Sequence, residues 1–491
     1  MIRRLGIPLS GATGLILVGP FLVSALLSRT AGESRAVSAV PTPAASGREN
    51  NPPRFVGAAS CAAAGCHGAN VPNHVVAGSE YGIWSLRDPH ARAYAVLGQQ
   101  RSHDMLRLWR GRVLVPTAEP ACLKCHAPLS ALLNPHEGSS EGDIAADGVS
   151  CEACHGAAEN WLDVHYTDGW RCLTAEQKQG EGFSPTKNLA FRVDLCADCH
   201  VGRPGAAVDH ELIAAGHPRL AFEYTAYHEL LPRHWEEKTY GKDFAARAWE
   251  IGQVVGARAA VDLLESRAKS VGSSGNLPPE FAEDDCFACH HDLRAPSWRQ
   301  KRGYGGRTPG LPAWGTWSLP MAAVLAKDGG LDPSVSAPHD WSDRLFGVML
   351  RPHPARGEVA DKAAAASAAL KKWAEALQDA AAPSAAGHKA LDRDDVRTFL
   401  LRLVVQAPAD DAAADWDRAA QTYLAVAALY QTLAELDPGY ATPDRRAAIE
   451  GLRLAVRFPG RRPEGSLDSP ADFTPARFRD ALQDIQKAFK N

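Results

Sequence analysis

Methionine is scarce in this chain, with four in 491 residues. Met1 belongs to the N-terminal segment, so only Met105, Met321 and Met349 remain, and a thioether is a poor candidate for a recurring metal ligand. Cysteine stops at Cys289, and of 18 histidines only His339, His353 and His388 lie beyond residue 300. Chemistry that needs thiols or imidazoles is therefore confined to the first part of the chain. Charge of one sign is missing too: 53 Lys and Arg stand against 57 Asp and Glu, a net charge of −4. No basic field points to nucleic acid. No apolar run after residue 27 is long enough to cross a bilayer.

What is present is a set of cysteine pairs, each followed directly by histidine. Four have the form Cys-x-x-Cys-His: Cys122 and Cys125 with His126, Cys151 and Cys154 with His155, Cys196 and Cys199 with His200, and Cys286 and Cys289 with His290. A fifth is stretched, with Ala-Ala-Ala-Gly between Cys61 and Cys66 and then His67. By composition, one such match following a given Cys has a chance of roughly one in a thousand. Paired cysteines also build zinc sites or disulfides, but neither requires a histidine after every pair. Haem c does: two thiols add to the two vinyl groups, and the histidine sits over the iron. Haem c is the cofactor expected here, five copies with four as the minimum. For the stretched motif, a disulfide or a remnant site stays open. Cys172 belongs to no motif; a buried free thiol is its plainest reading, an intermolecular disulfide or a haem-related role the alternatives.

Arg3 and Arg4 precede an apolar run from Leu5 to Leu27, with small-residue cleavage sites ending at Ala25 and Ala39. Residues 1–30 read as a signal peptide, with a retained signal anchor through residues 5–27 as the alternative. Export to the periplasm is expected either way, as a soluble protein or one held at the inner membrane. Residues 31–53 read as a flexible linker.

The fold class expected is mainly α with much irregular structure: a multihaem cytochrome c domain over 54–300, then a C-terminal helical bundle. The first part is rich in Gly and Pro, because porphyrins supply much of the apolar core. Residues 301–340 form a Trp/Gly/Pro-rich connector, with Trp298, Trp314 and Trp317 around its start. Residues 341–491 are helical by period. Leu370, Trp373 and Leu377 share one face, as do Tyr423, Val426, Ala427, Tyr430 and Leu433, and Phe478, Leu482, Ile485 and Phe489. Thr442-Pro443 and Thr474-Pro475 place a capping hydroxyl before a first-turn proline.

A second histidine on the free face of each iron gives a six-coordinate centre suited to electron transfer; an open face admits a small molecule. Six histidines are held in contexts suited to the second position: His90, His165, His210, His217, His228 and His234. They outnumber five irons, so at least one does something else. His74, His103, His136 and His291 are weaker candidates.

Four segments resemble the cytochrome c-554-type multihaem family. They are Ser60-Cys61 to His67, Trp84-Ser-Leu-Arg-Asp-Pro-His90-Ala-Arg-Ala-Tyr94, Val149-Ser-Cys151-Glu-Ala-Cys154-His155-Gly156, and His210-Glu-Leu-Ile-Ala-Ala-Gly-His217-Pro-Arg-Leu220. The resemblance spans roughly residues 55–300 and implies a periplasmic electron carrier with closely stacked haems. Its typical member has four haems; a fifth motif, the stretched first one and the helical tail depart from that pattern. The leading reading is electron transfer with redox partner proteins as donor and acceptor. The alternative is an oxidoreductase acting on nitrogen or sulfur oxyanions or hydroxylamine at one open haem, with Arg219, Tyr224 and Tyr227 available to a distal pocket. No motif has the Cys-x-x-Cys-Lys form that marks one class of catalytic haem. A structural subunit docking by its tail is a third reading.

The mature protein should weigh five haems more than its polypeptide in an intact-mass measurement. An increment of four, with Cys61 and Cys66 joined in a disulfide, would show the stretched motif unused.

Overall fold

Short helices and tight turns separate the first four cysteine motifs, while one long helix stands between the fourth and the fifth. The computed structural model describes residues 53–69, 77–129, 141–270, 275–291, 295, 297, 300–301, 310–382, 388, 390–407, 415–458 and 473–490. The targeting segment, all but the last residue of the linker, His74, His136 and Trp298 lie outside them. Glu80–Arg87, Gln100–Arg110, Pro120–His126, Cys151–His155, Leu189–His200, His210–Ala214 and Tyr224–Leu230 are the principal helices before residue 240. Only isolated β-bridges occur among the described residues. The protein is mainly helical with irregular stretches.

The longest elements are Phe244–Lys269 and Arg356–Ala381. The first is not amphipathic in the usual sense: from Ala245 to Ala257 every residue is buried. Its small residues allow neighbours to approach closely. At Gly252 an added Cβ would lie 2.9 Å from the Cβ of Tyr224. This central helix packs most extensively on Arg356–Ala381, and also on Leu189–His200, Trp416–Leu436, Tyr224–Leu230 and Pro320–Asp328. Trp249 meets Phe399 with ring centres 5.9 Å apart. Asp243, just before it, takes hydrogen bonds from Arg247 and from the Leu391 backbone N–H, both 3.1 Å.

The tail helices follow their periodicity. Leu370, Trp373 and Leu377 are buried on Arg356–Ala381, and Phe478, Leu482, Ile485 and Phe489 on Pro475–Lys490. Tyr423, Val426, Tyr430 and Leu433 are buried on Trp416–Leu436, while Ala427 is half-buried. Thr442 caps Pro443–Val456 by accepting from the Arg445 N–H at 3.3 Å.

The change in composition near residue 300 is not a break in packing. One apolar core runs from Leu189 and Val193 through the central helix to Phe489. The layout expected from composition, a haem part at 54–300 and a separate bundle at 341–491, meets a continuous interior. The connector helps to join the halves and contains a helix of its own, Pro320–Asp328. Trp314 donates to Glu283 at 2.7 Å, and Trp317 to the Phe222 carbonyl at 2.8 Å. Gln378 accepts from the backbone N–H groups of Leu189 and Ala190, at 2.7 and 3.0 Å.

Each large apolar side chain uncovered on the central helix would cost about 1.5–3 kcal/mol, against a net stability of only about 5–15 kcal/mol for a typical domain. A chain ended near residue 320 should therefore be recovered insoluble or without its full haem complement. A soluble product with an unchanged reduced spectrum would show that the first part folds alone.

Candidate functional site

The four regular motifs adopt short helical turns. Cys122, Cys125 and His126 end the helix Pro120–His126; Cys151, Cys154 and His155 make the whole of Cys151–His155; Cys196, Cys199 and His200 end Leu189–His200. Cys286–Ala288 is a 3-10 turn. The stretched motif bulges outward as an exposed loop closed on Ala63, whose carbonyl accepts from Cys66 and Gly68 at 2.9 and 3.0 Å. Gly68 cannot be larger, since a Cβ there would fall 1.9 Å from the Ala62 carbonyl oxygen.

The motifs lie against one another. The Cys61 side chain lies beside that of Cys151, and Cys125 beside Cys199. Cys154 lies within electrostatic reach of Cys199 and Cys196. The Cys154 side chain is open at its surface yet ringed by protein, and that enclosure pushes the thiol up to about 11. An open side chain deep inside a fold lines a space, as a porphyrin requires.

The histidines are arranged in opposed pairs. Ring centres are 6.0 Å apart for His67 and His165, 6.0 Å for His90 and His200, 6.4 Å for His155 and His234, and 6.3 Å for His210 and His290. An imidazole nitrogen binds a first-row metal at about 2.0–2.1 Å, and its ring centre lies about 1.1 Å further back, so two imidazoles across one ion hold their centres about 6.3 Å apart. All four pairs have this spacing. His126 and His217 lie within electrostatic reach of one another, which makes a fifth couple. Each proximal histidine thus meets one of the six candidates.

Five of the ten paired histidines have Nδ1 engaged, while Nδ1 of His234 is buried without a partner. Nδ1 of His126 pairs with the Ala93 carbonyl at 2.8 Å, that of His165 with Leu162 at 2.7 Å, and that of His217 with Pro218 at 2.8 Å. Nδ1 of His90 pairs with Asp88 Oδ1 at 2.9 Å and that of His67 with Glu80 Oε2 at 3.1 Å. With Nδ1 committed, Nε2 is left to face a metal. Burial lowers His155 and His200 to about 4, helped by the neighbouring His234 and His67 in one case and His90 in the other. Both rings are held neutral, the ligating form.

His228 is the candidate that does not join a pair. Its ring is packed among Tyr224, Trp235 and Phe244 at 5.2–5.6 Å, with Nε2 sealed from solvent and without a hydrogen-bond partner. Burial lowers it to about 3. It is the one of the six candidates that faces no attachment histidine, in keeping with six candidates for five irons. Cys172 is exposed, which corrects the expectation of a buried thiol. Of the weaker candidates, His103 is half-buried on Gln100–Arg110 and His291 follows His290 directly.

Two sets of supporting residues escaped the sequence reading. Glu152, inside the third motif, is buried and accepts from the backbone N–H groups of Val56, Gly57 and Ala158 at 3.1, 2.8 and 2.8 Å. It ties the segment before Cys61 to the third motif, and only its position between two attachment cysteines marked it. The second set grips the fifth motif. Phe287 meets Trp416 at 6.1 Å, and Arg219 makes a paired contact with Asp417 at 2.9 and 2.8 Å, with Thr316 donating to the same carboxylate at 2.5 Å. Arg219 is thereby committed to the tail. Tyr227 packs edge-on against His200 at 5.0 Å.

Covalent haem attachment and imidazole pairing on a mainly helical scaffold define a c-type cytochrome. Residues 60–156 match the family model described as cytochrome c554 and c-prime, so this stretch of the chain is of the cytochrome c-554 type, with covalently bound haem c and a role in electron transfer. No curated protein and no solved structure matches the chain.

His228→Phe should leave the haem count and the ferric spectrum unchanged, at a stability change within about 1.5 kcal/mol. His234→Ala should convert one low-spin iron to high spin. A high-spin signal from His228→Phe would return that residue to the ligand set.

Proposed function

We propose that this protein is a periplasmic electron carrier with five covalently bound haems, each held between two imidazoles. The observation that carries the reading is the one-to-one matching of proximal histidines with His90, His165, His210, His217 and His234, four of the pairs at a spacing suited to one metal ion and the fifth, His126 with His217, within electrostatic reach. Haem supplies one-electron exchange between ferric and ferrous iron when bound. The chain's own residues do the rest. Ten histidines would hold the five irons; the carbonyls of Ala93, Leu162 and Pro218 fix three rings; Glu152 and the Arg219–Asp417 pair lock the attachment turns.

The contacts between motifs give a route. The first lies beside the third through Cys61 and Cys151, the second beside the fourth through Cys125 and Cys199, and Cys154 links the third to the fourth. His210 and His217, seven positions apart on one turn-and-helix segment, couple the fifth motif to the second. Porphyrins bound at such neighbouring positions would exchange electrons in sequence between a donor and an acceptor protein. Attachment outside the inner membrane agrees with the N-terminal segment, which would either be cleaved or serve as an anchor.

Catalysis at an open haem is disfavoured by what the distal-pocket candidates do. Arg219 is paired with Asp417, Tyr224 is buried against Gly252 of the central helix, and Tyr227 packs against His200.

Low-temperature electron paramagnetic resonance of the oxidised holoprotein should show five low-spin irons and no high-spin signal, and the reduced protein should bind little carbon monoxide. His217→Ala should add one high-spin iron and raise that haem's potential, because a strong donor to ferric iron is lost. Stoichiometric carbon monoxide or nitric oxide binding in the unmodified protein, with turnover of hydroxylamine or nitrite, would replace the carrier reading with the open-site enzyme.

A further inference from the structure

Not all the outward-facing ring nitrogens meet the same acceptor. Three of the paired histidines donate to backbone carbonyls. Two donate to carboxylates, and these carboxylates bracket one short helix, Glu80–Arg87. Glu80 opens it and faces His67 at 3.1 Å, its other oxygen accepting from the Gly78 N–H at 3.2 Å. Asp88 follows its last residue and faces His90 at 2.9 Å while accepting from the His90 N–H, also at 2.9 Å. The Asp88 side chain is 6% exposed and that of Glu80 28%, so water weakens neither contact fully. The helix is tied back to the first motif by the Tyr81 N–H on the His67 carbonyl, 3.0 Å, and to the third by Trp84 Nε1 on the Val149 carbonyl, 3.0 Å.

A carboxylate accepts a hydrogen bond more strongly than a peptide carbonyl does. It polarises Nδ1–H, gives the ring partial imidazolate character and makes Nε2 a stronger donor. A stronger axial donor favours ferric over ferrous iron and so lowers the reduction potential. We infer that Glu80 and Asp88 are positioning residues that set the potentials of two haems, the one on Cys61 and Cys66 and the one on Cys196 and Cys199, below that of the haem on Cys122 and Cys125, whose two imidazoles both donate to carbonyls. One helix thereby biases two members of the chain in the same direction, and electrons pass more readily from those two toward the second-motif haem than back.

The inference rests on the axial pairing proposed above, and its test separates the two. Glu80→Gln and Asp88→Asn are made in the full-length holoprotein, and each is titrated spectroelectrochemically. In each variant one haem of five should titrate higher, with about a tenfold change in its ferrous-to-ferric ratio at fixed potential, which is about 59 mV for one electron. The other four should stay in place, and Asp88→Glu should move that haem back toward the starting potential. His90→Ala is the control and should give one high-spin iron. If His90→Ala does so while Asp88→Asn and Glu80→Gln keep all haems at unchanged potentials, the inference fails and the pairing stands. If His90→Ala leaves every iron low-spin, the pairing fails and takes the inference with it.

Discussion

Two imidazoles can share one iron only if their ring centres stand about 6.3 Å apart with nitrogens facing inward. That separation governs much of the fold around the cysteine motifs. The proximal ring is placed by its own attachment turn, but the opposing ring comes from distant sequence: His165 for His67, His90 for His200, His234 for His155 and His210 for His290. The intervening chain must be rigid enough to hold each distance. Pro89 beside His90, and the Nδ1 hydrogen bonds of His90 and His165, supply part of that rigidity. At Gly148, left-handed with φ 65°, a Cβ would lie 2.7 Å from the His90 carbonyl, and the neighbouring Val149 N–H donates to the same carbonyl at 3.0 Å. The loop carrying His90, which faces His200 of the fourth motif, is thus stitched to the entrance of the third.

The second constraint is the apolar interior shared by the two parts of the chain. Porphyrins would fill space around the motifs, but Leu189, Val193 and Ala197, on the helix that ends in the fourth motif, need apolar cover from the protein. The central helix provides it, and the tail helices in turn cover the central helix. Near the fifth motif the dependence is direct, through Phe287 on Trp416 and Arg219 on Asp417. A buried ion pair of this kind contributes less through its own strength than through the cost of breaking it, which leaves a charge stranded.

The spacing of cysteine and histidine along the chain was enough to specify attachment, because a thioether-linked porphyrin needs its thiols and its histidine within one turn. Helical periodicity was enough for the tail stripes, since a face repeating every three to four residues has to be buried somewhere. The six candidate distal histidines were also legible, five beside Pro, Gly or an aromatic residue and His210 in the cluster behind the fourth motif. What the sequence left open was which of them oppose an iron. His228 has the same kind of context as His234, six residues on, yet its Nε2 ends sealed among Tyr224, Trp235 and Phe244, while His234 faces His155. Only the tertiary arrangement separates them, because opposition across a metal is a distance between residues remote in sequence. The tail's partner followed the same rule: a buried stripe demands a neighbour but does not name it, and packing of small residues on the central helix decided that the neighbour belongs to the haem-bearing part.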